Sequence, residues 1–336
     1  MTRDETVVAI PADACSEPKF EMFRRACGAD IHLAMTRRRA RALGIDVDED
    51  ITIELQPDAT IEQILSPAGG GLFVGEFRRR RAGVAVRAAI DLAKLSGRLP
   101  SLLVFRAERT DCPGHLLRVE SGAVAEFRQH LLHTLDRVAC STIPIEGVGA
   151  TQFVLFQDAV GAVHVALILG RPDPVGPVLV RVHSRCLTGD VFGSQRCDCG
   201  DQLELATRRM RGSGGIILYL DQEGRGVGLA NKLRAYSLQD AGLDTIEANL
   251  TLGFESDERD YRIAGRLLQL LGFHRILLLT NNPDKLAGLK SAGVEVSGSI
   301  PLQGPIRTSN RRYLLTMAER AGHRLTFHCE DAPAEA

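Results

Sequence analysis

Three cysteines fall within fourteen residues of this 336-residue chain, in the stretch RVHSRCLTGDVFGSQRCDCGDQ (181–202). Cys186, Cys197 and Cys199 stand in the spacing C-x10-C-x-C. Cys197 and Cys199 are one residue apart, which strains a direct disulfide but lets both sulfurs converge on one ion from a tight turn. Cys186 lies far enough back for a hairpin to return it. A structural zinc closes its tetrahedron with four protein ligands, whereas a catalytic zinc takes three and keeps a position for water. Such a bound water is a nucleophile near neutral pH. Three thiolates leave the site net negative, and Arg181, Arg185 and Arg196 are the cations close by in the chain. Two blander readings compete: ordinary reduced cysteines in a core, or a structural site completed by His183. The density of thiols, interleaved with Gly189, Asp190, Asp198 and Gly200, favours the open metal site.

The elements around this stretch must position it. VLVRVHS (178–184) reads as a strand leading into the cysteines, and DQLELATRRMR (201–211) as a helix leading away. TQFVLFQD and AVHVALILG pattern as a hairpin before them. GGIILYLDQ (214–222) is a buried strand that opens into EGRGVG (223–228). Three glycines there let backbone amides approach a phosphate or a base. No G-K-[ST] follows, so this is not a Walker loop. Glu223 can accept from a purine edge and Arg225 can pair with phosphate bidentately, although a tight strand-to-helix turn is the plainer alternative. The next helix, LANKLRAYSLQDAG, places Leu229, Leu233 and Tyr236 on one face, so Tyr236 can be simple core. Ser256 and Asp257 stand where a further helix is expected to begin, with Ala264, Leu267, Leu268 and Leu271 as its buried stripe. As a mere cap Asp257 is worth about 1 kcal/mol. In RILLLTNNPDKLAGLKSAG (275–293), Asn282 suits an N-cap, Pro283 the first helical position and Gly293 the end. The amides at that helix start form an anion site within reach of Lys285. VEVSGSIPL then reads as a short strand.

The first third is plainer. Residues 18–28 pattern as a helix, 31–35 as a strand, 36–45 as a helix, 51–55 as a strand, 81–97 as a helix and 101–107 as a buried strand. PAGGGLF (67–73) is a glycine-rich turn. Arg78 to Arg81 read as a solvated edge rather than a phosphate site. Residues 108–120 carry linker signals, and 123–139 pattern as one helix with Val124, Phe127, Leu131, Leu135 and Val138 on its stripe. The closing EDAPAEA reads as a flexible tail.

Composition limits the rest. With 44% hydrophobic and 25% charged residues and a formal net charge of -1, the chain reads as a soluble globular protein without the basic field that nucleic acid demands. No apolar run reaches the roughly 20 residues that span a bilayer, and the first residues lack the apolar core of an export signal. The expected setting is therefore cytoplasmic, with reduced or metal-bound thiols. The other five cysteines (Cys15, Cys27, Cys112, Cys140, Cys329) are scattered.

Residues 141–325 resemble GTP cyclohydrolase II. The segment 181–200 is similar to the family pattern RVHSECLTGD followed by RCDCG, with Arg185 where the family has Glu. QEGRGVGLANKLRAYSLQDAGLDTIEAN (222–249) matches a second family segment without a break. DERD (257–260) matches its D-x-R-D motif. RRYLLTMAERAGHRL matches its closing motif, with Met317 in place of a lysine. The resemblance implies zinc-dependent opening of the GTP imidazole ring with release of formate and pyrophosphate, the first step of riboflavin synthesis. It implies one Zn²⁺ per subunit on Cys186, Cys197 and Cys199, and Mg²⁺ with the triphosphate. Asp257 then corresponds to a proton acceptor, Arg259 to a residue acting at the α-phosphate and Tyr236 to a residue needed for turnover. GTP contacts fall on Arg181, Val182, His183, Ser184, Arg185, Gln202, Glu223, Gly224, Arg225, Thr245, Thr280 and Lys285. A homodimer is expected, with no nucleic-acid or membrane partner.

Residues 20–108 more distantly resemble a dihydroxybutanone-phosphate synthase domain. Where that family has R-x-G-H-T-E-A, this chain reads Arg81 to Arg87 with Val84 for the metal-binding His and Val86 for the Glu. Valine neither ligates Mg²⁺ nor moves a proton, so this domain is expected to be inactive. The expected architecture is α/β, mixed sheets with flanking helices in two domains: 1–110 degenerate synthase-like, 111–140 linker and helix, 141–325 the cyclohydrolase II-like catalytic domain, and 326–336 tail. Two rivals remain at this level: a non-catalytic GTP-binding scaffold, and a zinc hydrolase of another purine nucleotide.

Overall fold

The computed structural model describes residues 6–27, 30–56, 58–65, 78–107 and 116–327. The glycine-rich turn expected at 67–73, Cys112, Cys329 and residues 328–336 of the tail lie outside them. In chain order the elements are β1 (Thr6–Pro11), α1 (Glu17–Cys27), β2 (His32–Met35), α2 (Arg37–Ala42), β3 (Ile51–Glu54), α3 (Ile61–Leu65), β4 (Arg79–Arg81), α4 (Val84–Leu95), β5 (Ser101–Ala107) and α5 (Ser121–His130). Then come β6 (Asp136–Ile145), β7 (Gly149–Gln157), β8 (Val163–Leu169), β9 (Val178–Ser184), α6 (Leu187–Asp190), α7 (Cys199–Met210), β10 (Gly215–Leu220), α8 (Leu229–Asp240), α9 (Thr245–Thr251), α10 (Arg262–Leu271), β11 (Arg275–Leu279), α11 (Pro283–Ser291), β12 (Glu295–Ile300) and α12 (Thr308–Ala321). Mixed α/β architecture with two sheets is thus present, and the chain divides into two compact units.

One unit joins residues 1–129 to 230–258. Its sheet runs β1-β5-β2-β3-β4 with antiparallel neighbours throughout. Alternation along the strands sends Leu33, Met35, Ile51, Ile53 and Leu103 to one face, against Phe20 of α1, Ala40 of α2 and Ile64 of α3. Ala34, Leu102 and Val104 point to the other face, against Val86, Ile90 and Ala93 of α4. Arg79 to Arg81 of the arginine run form the exposed strand β4, which among the described residues pairs only through Ile51 to Ile53 of β3. Long charged side chains on an edge discourage further strand pairing. Strand β1 precedes the first element expected from the residues and was not anticipated. The segment 230–258 belongs here: its Asn231, Glu255 and Glu258 side chains and its Thr251 and Gly253 carbonyls bond to residues of α2, α4 and their flanks, so the unit is not contiguous in the chain.

The other unit joins 130–229 to 259–336. Its sheet runs β12-β11-β9-β10-β8-β7-β6, parallel from β12 to β10 and antiparallel from β10 to β6. Val178, Val180, Val182, Ile216, Leu218, Ile276 and Leu278 cover one face with Ala264, Leu267 and Leu268 of α10 and Leu289 of α11. Each fully buried leucine there contributes about 1.5–3 kcal/mol over an exposed one. Ile217 and Leu279 turn to the opposite face, onto Ala206 and Met210 of α7.

Three expectations need correcting. The helix expected over 123–139 stops at His130; a 3-10 turn follows at Leu131–Thr134 and Arg137 to Ala139 are already in β6. Leu135 enters the core from that turn while Val138 is 54% exposed on the strand, so the apparent stripe was two unrelated segments. Asp257 is not a helix cap, because α10 begins at Arg262. On α8 the buried positions are Asn231, Lys232 and Ala235, while Leu233 is 49% exposed. No helix among the described residues is long and apolar enough to cross a membrane.

Candidate metal centre and anion cavity

The parallel strands β9, β10 and β11 all end on the same side, where open α/β sheets place their ligands. After β9 the chain makes the one-turn helix α6, and Cys186 is its cap. Asp190 closes that turn. Its N–H donates to the Cys186 carbonyl at 2.7 Å, and its carboxylate accepts from the Cys186 N–H at 2.9 Å. The same carboxylate accepts from Tyr219 Oη at 2.9 Å and lies 3.1 Å from His183 Nε2. From the sequence Asp190 was noted only as interleaved with the thiols, and Tyr219 was not singled out. A Gly-Asp pair three residues after a cysteine was the available signal for the first. The second was hidden inside an apolar strand.

The ligand atoms of Cys186, Cys197 and Cys199 all lie within 4.8 Å of one another, and Cys186 Sγ is 3.7 Å from Cys197 Sγ. Cys199 is the first residue of α7 rather than part of a loose turn. Two glycines make the convergence possible. A Cβ on Gly189 would sit 3.1 Å and 3.2 Å from the sulfurs of Cys186 and Cys197. A Cβ on Gly200 would sit 2.6 Å from the Gly189 carbonyl oxygen. Among the described residues the cluster is three cysteines alone; His183 turns its Nε2 to Asp190 instead of completing a fourth position.

The electrostatics fit a cation. The neighbouring Cys186 thiol and burial push Cys197 up to about 12, and the other two sulfurs hold Cys199 well above the ordinary thiol range. Three such thiols cannot all ionise beside one another unless a positive ion stands among them. Soft thiolates at this separation suit Zn²⁺.

Cys199 also lines a small cavity with Arg181, His183, Ser184, Gln202, Arg225, Arg259 and Lys285, together with Asp198, Asn282 and Tyr313. Six of the residues expected to contact GTP, and Arg259, therefore share one cavity with one of the expected ligands. Arg181 is fully inside, donating to the Leu279 carbonyl at 3.1 Å and to Gln202 Oε1, which leaves its Nε buried without a partner. Burial lowers its pKa from the usual guanidinium value. Gln202 in turn donates to Asp198 at 2.6 Å. Arg259 reaches Ser184 Oγ at 3.4 Å and lies over the Tyr261 ring at 5.2 Å. Lys285 is buried, with Nζ 2.9 Å from the Val182 carbonyl. Val182 itself is sheet core. Asn282 caps α11 by accepting from the Asp284 N–H at 2.8 Å, and its own N–H bonds Thr280 Oγ1 at 3.0 Å.

The loop after β10 is a strained turn. Gly224 and Arg225 both adopt left-handed backbone, and Arg225, at φ 62°, is the lone non-glycine to do so among the described residues. Such a conformation costs of order 1–3 kcal/mol and is retained where it aims a side chain. Here it sends the Arg225 guanidinium to the Met317 sulfur. Glu223 is buried and accepts from the Leu187 N–H at 2.8 Å. Arg185 pairs with Asp221 at 3.0 Å. Of the three cations near the cysteines in sequence, Arg181 alone is buried beside Cys199; Arg196 is exposed.

Tyr236, Thr245 and Asp257 belong to the other unit. Tyr236 is half-buried with Lys232 Nζ 5.8 Å from its ring. Thr245 opens α9 behind a capping box formed by Asp244 and Glu247. Asp257 lies between α9 and α10, partly buried.

Comparison with known proteins bears on the family. The GTP cyclohydrolase II family profile matches residues 136–301. A GTP cyclohydrolase-2 of Azospirillum brasilense is 45% identical over 247 residues, 70% of this chain, which thus spans 64% of that relative's length. The riboflavin biosynthesis protein RibBA of Bacillus mycoides (strain KBAB4) is 41% identical over 300 residues, 80% of this chain and 74% of that one. Among solved structures, RibBX, a two-domain 3,4-dihydroxy-2-butanone 4-phosphate synthase from A. baumannii, aligns over 90% of this chain and 93% of its own at 17% identity. Its TM-score of 0.29 is too low to carry any argument. Identity of this extent over three-quarters of a relative, with the family profile covering the cysteines and the strands that hold them, means that the chain belongs to the GTP cyclohydrolase II family, the hydrolases of riboflavin biosynthesis.

Proposed function

We propose that this chain opens the imidazole ring of GTP by hydrolysis, releasing formate and pyrophosphate and leaving 2,5-diamino-6-(5-phosphoribosylamino)pyrimidin-4-one. The observation that carries the proposal is the joining of a three-sulfur cluster to a cavity walled by Arg181, Arg225, Arg259 and Lys285. Cys186, Cys197 and Cys199 would hold one Zn²⁺ per subunit. When bound, that ion supplies a water acidic enough to attack a purine carbon.

The chain's own residues do the rest. Asp190 fixes the cap that presents Cys186 and keeps His183 and Tyr219 in place, while burial holds His183 in its neutral form. Glu223 and Gly224 offer an acceptor and a close backbone to the base, and Gln202 and Ser184 add neutral hydrogen-bonding groups. Arg225, Lys285, Thr280 and the amides at the start of α11 face the phosphates, which travel with Mg²⁺. Arg259 stabilises charge as it develops at the α-phosphate, with Asp257 as proton acceptor nearby in the chain. Thr245 contacts nucleotide and Tyr236 supports turnover. Arg185, where the family has Glu, acts through Asp221.

The amino-terminal region 1–110 is proposed to be a degenerate dihydroxybutanone-phosphate synthase-like domain without activity, followed by a linker and helix over 111–140, the catalytic domain over 141–325 and a tail over 326–336. A cytoplasmic homodimer is the proposed form. Purified protein incubated with GTP, Mg²⁺ and Zn²⁺ should yield formate and pyrophosphate in equal amounts. Intact GTP that remains bound would support a scaffold instead, and turnover of another purine nucleotide in preference to GTP would move the substrate assignment.

A further inference from the structure

The segment 251–258 leads into Arg259 and contains Asp257, yet its anchors come from the first hundred residues of the same unit. Thr36 Oγ1 donates to the Gly253 carbonyl at 2.7 Å, and Arg39 donates to the Thr251 carbonyl at 2.8 Å. Arg38 grips Glu255 Oε2 through Nε at 2.9 Å and its terminal nitrogen at 2.7 Å, while Arg37 reaches Oε1 at 3.3 Å. Lys94 of α4 meets Glu258 at 2.6 Å, with both side chains largely buried, at 14% and 12% exposure. Glu258 also accepts from the Glu255 N–H at 2.9 Å. Gly253 is pressed in so closely, at φ +96°, that a Cβ there would lie 2.9 Å from Thr36 Oγ1.

Fixing a loop by charge is costly. Burial lowers the Arg39 pKa to about 10, and a buried ion pair is often worth no more to stability than apolar residues of the same volume. What such pairs do well is specify one geometry. Here the geometry specified is that of the backbone on both sides of Asp257. The arginine helix α2 is otherwise without use in the nucleotide reading.

We propose that the amino-terminal region is retained as a cradle for residues 251–258, with Arg38, Arg39 and Lys94 as positioning residues for Asp257. The catalytic half of this statement rests on the function proposed above. Two readouts on the full-length chain keep the halves apart. In Lys94→Met and in Arg38→Ala, amide hydrogen exchange over 251–258 should accelerate at least about tenfold. Lys94→Arg, and the exchanged pair Arg38→Glu with Glu255→Arg, should restore protection. The kcat for GTP should fall about tenfold or more in Lys94→Met, because small misplacements of reacting groups are that costly. KM should stay within about twofold and zinc content should not change. Unaltered exchange over 251–258 overturns the cradle whatever the activity. Altered exchange with wild-type kcat overturns the positioning role. Should the unaltered chain fail to convert GTP, the functional reading falls and the exchange result still decides the cradle.

Discussion

Helices α4 and α7 pack on their sheets in the same manner and begin in opposite ways. The body of α4 buries Ile90 and Ala93, and that of α7 buries Ala206 and Met210. The first turn of α4 carries Val84, which is 62% exposed, and Val86, which is sunk in an apolar cluster. The first turn of α7 carries Cys199, Asp201 and Gln202, with Asp198 buried just before it. Folding is served equally well by both bodies, since it needs only the apolar stripe. Chemistry needs the first turn, where unpaired amides and a site at the strand ends coincide. Of the two positions that set α4 apart from the family pattern, Val84 holds nothing down and Val86 has joined the apolar stripe, so on the proposed inactivity of this unit neither change disturbs the fold.

The most severe way to break this contrast is to remove a sulfur. Cys197→Ser should abolish tight zinc binding and lower formate release by about a thousandfold or more, since the acidified water goes with the ion. Metal analysis and a formate assay test it together; a variant that loses zinc and still releases formate at the wild-type rate removes the metal from the mechanism. The complementary change belongs to the other helix. Val86→Glu should cost about 2–4 kcal/mol of stability, because the carboxylate would enter the apolar cluster of Ala34, Ile90, Leu102 and Val104 without a partner. Neither the wild type nor this variant should convert ribulose 5-phosphate. Denaturant unfolding measures the first statement, and conversion by the wild type would refute the proposed inactivity.

Elements with a single clear period were legible in the sequence. The strand 101–107 and the stripe Ala264, Leu267, Leu268 were read at their positions. The helix over 123–139 was misread because a helical stripe and an alternating strand can share apolar residues by accident, and no glycine or proline marks the join at residues 131–134. The cysteine cluster was legible because the chain concentrates an unusual residue type there. Asp190, Tyr219 and the Arg38–Glu255 pair were not legible, because each matters through a partner between 4 and 217 residues away. Spacing reveals ligands that lie close in sequence; it is silent on the side chains that steady them.

A gentler perturbation sharpens the same comparison at the metal. Gly189→Ala leaves all three sulfurs in place and adds one methyl group 3.1–3.3 Å from Cys186 Sγ, Cys197 Sγ and Cys199 Cβ. The neighbours must give by a few tenths of an ångström, so zinc affinity should drop about tenfold, with a stability loss of about 1–3 kcal/mol. Competition with a chelator reads the first and thermal unfolding the second. Wild-type affinity would mean that the cluster is looser than its packing implies.

The smallest effect concerns the far side of β10. His164 on β8 is buried, and its Nδ1 accepts from the Asp221 N–H at 3.1 Å, which requires the neutral ring. Burial lowers its pKa below the ordinary 6.5. Above that value folded and unfolded chains both carry it neutral, so it imposes no pH dependence. As pH falls through 6.5 the unfolded chain takes up a proton that the folded chain refuses. Stability should then decline with a contribution of at most about 1.4 kcal/mol per pH unit. Protonation of the folded ring would also break the bond that holds Asp221, the partner of Arg185. In His164→Gln the side-chain oxygen can still accept from Asp221 but does not titrate. Unfolding free energies measured at pH 7 and pH 5 should therefore differ less in the variant than in the wild type. Equal differences would mean that the ring is hydrated or already relaxed, and that the strand end carrying Asp221 is held by something other than this histidine.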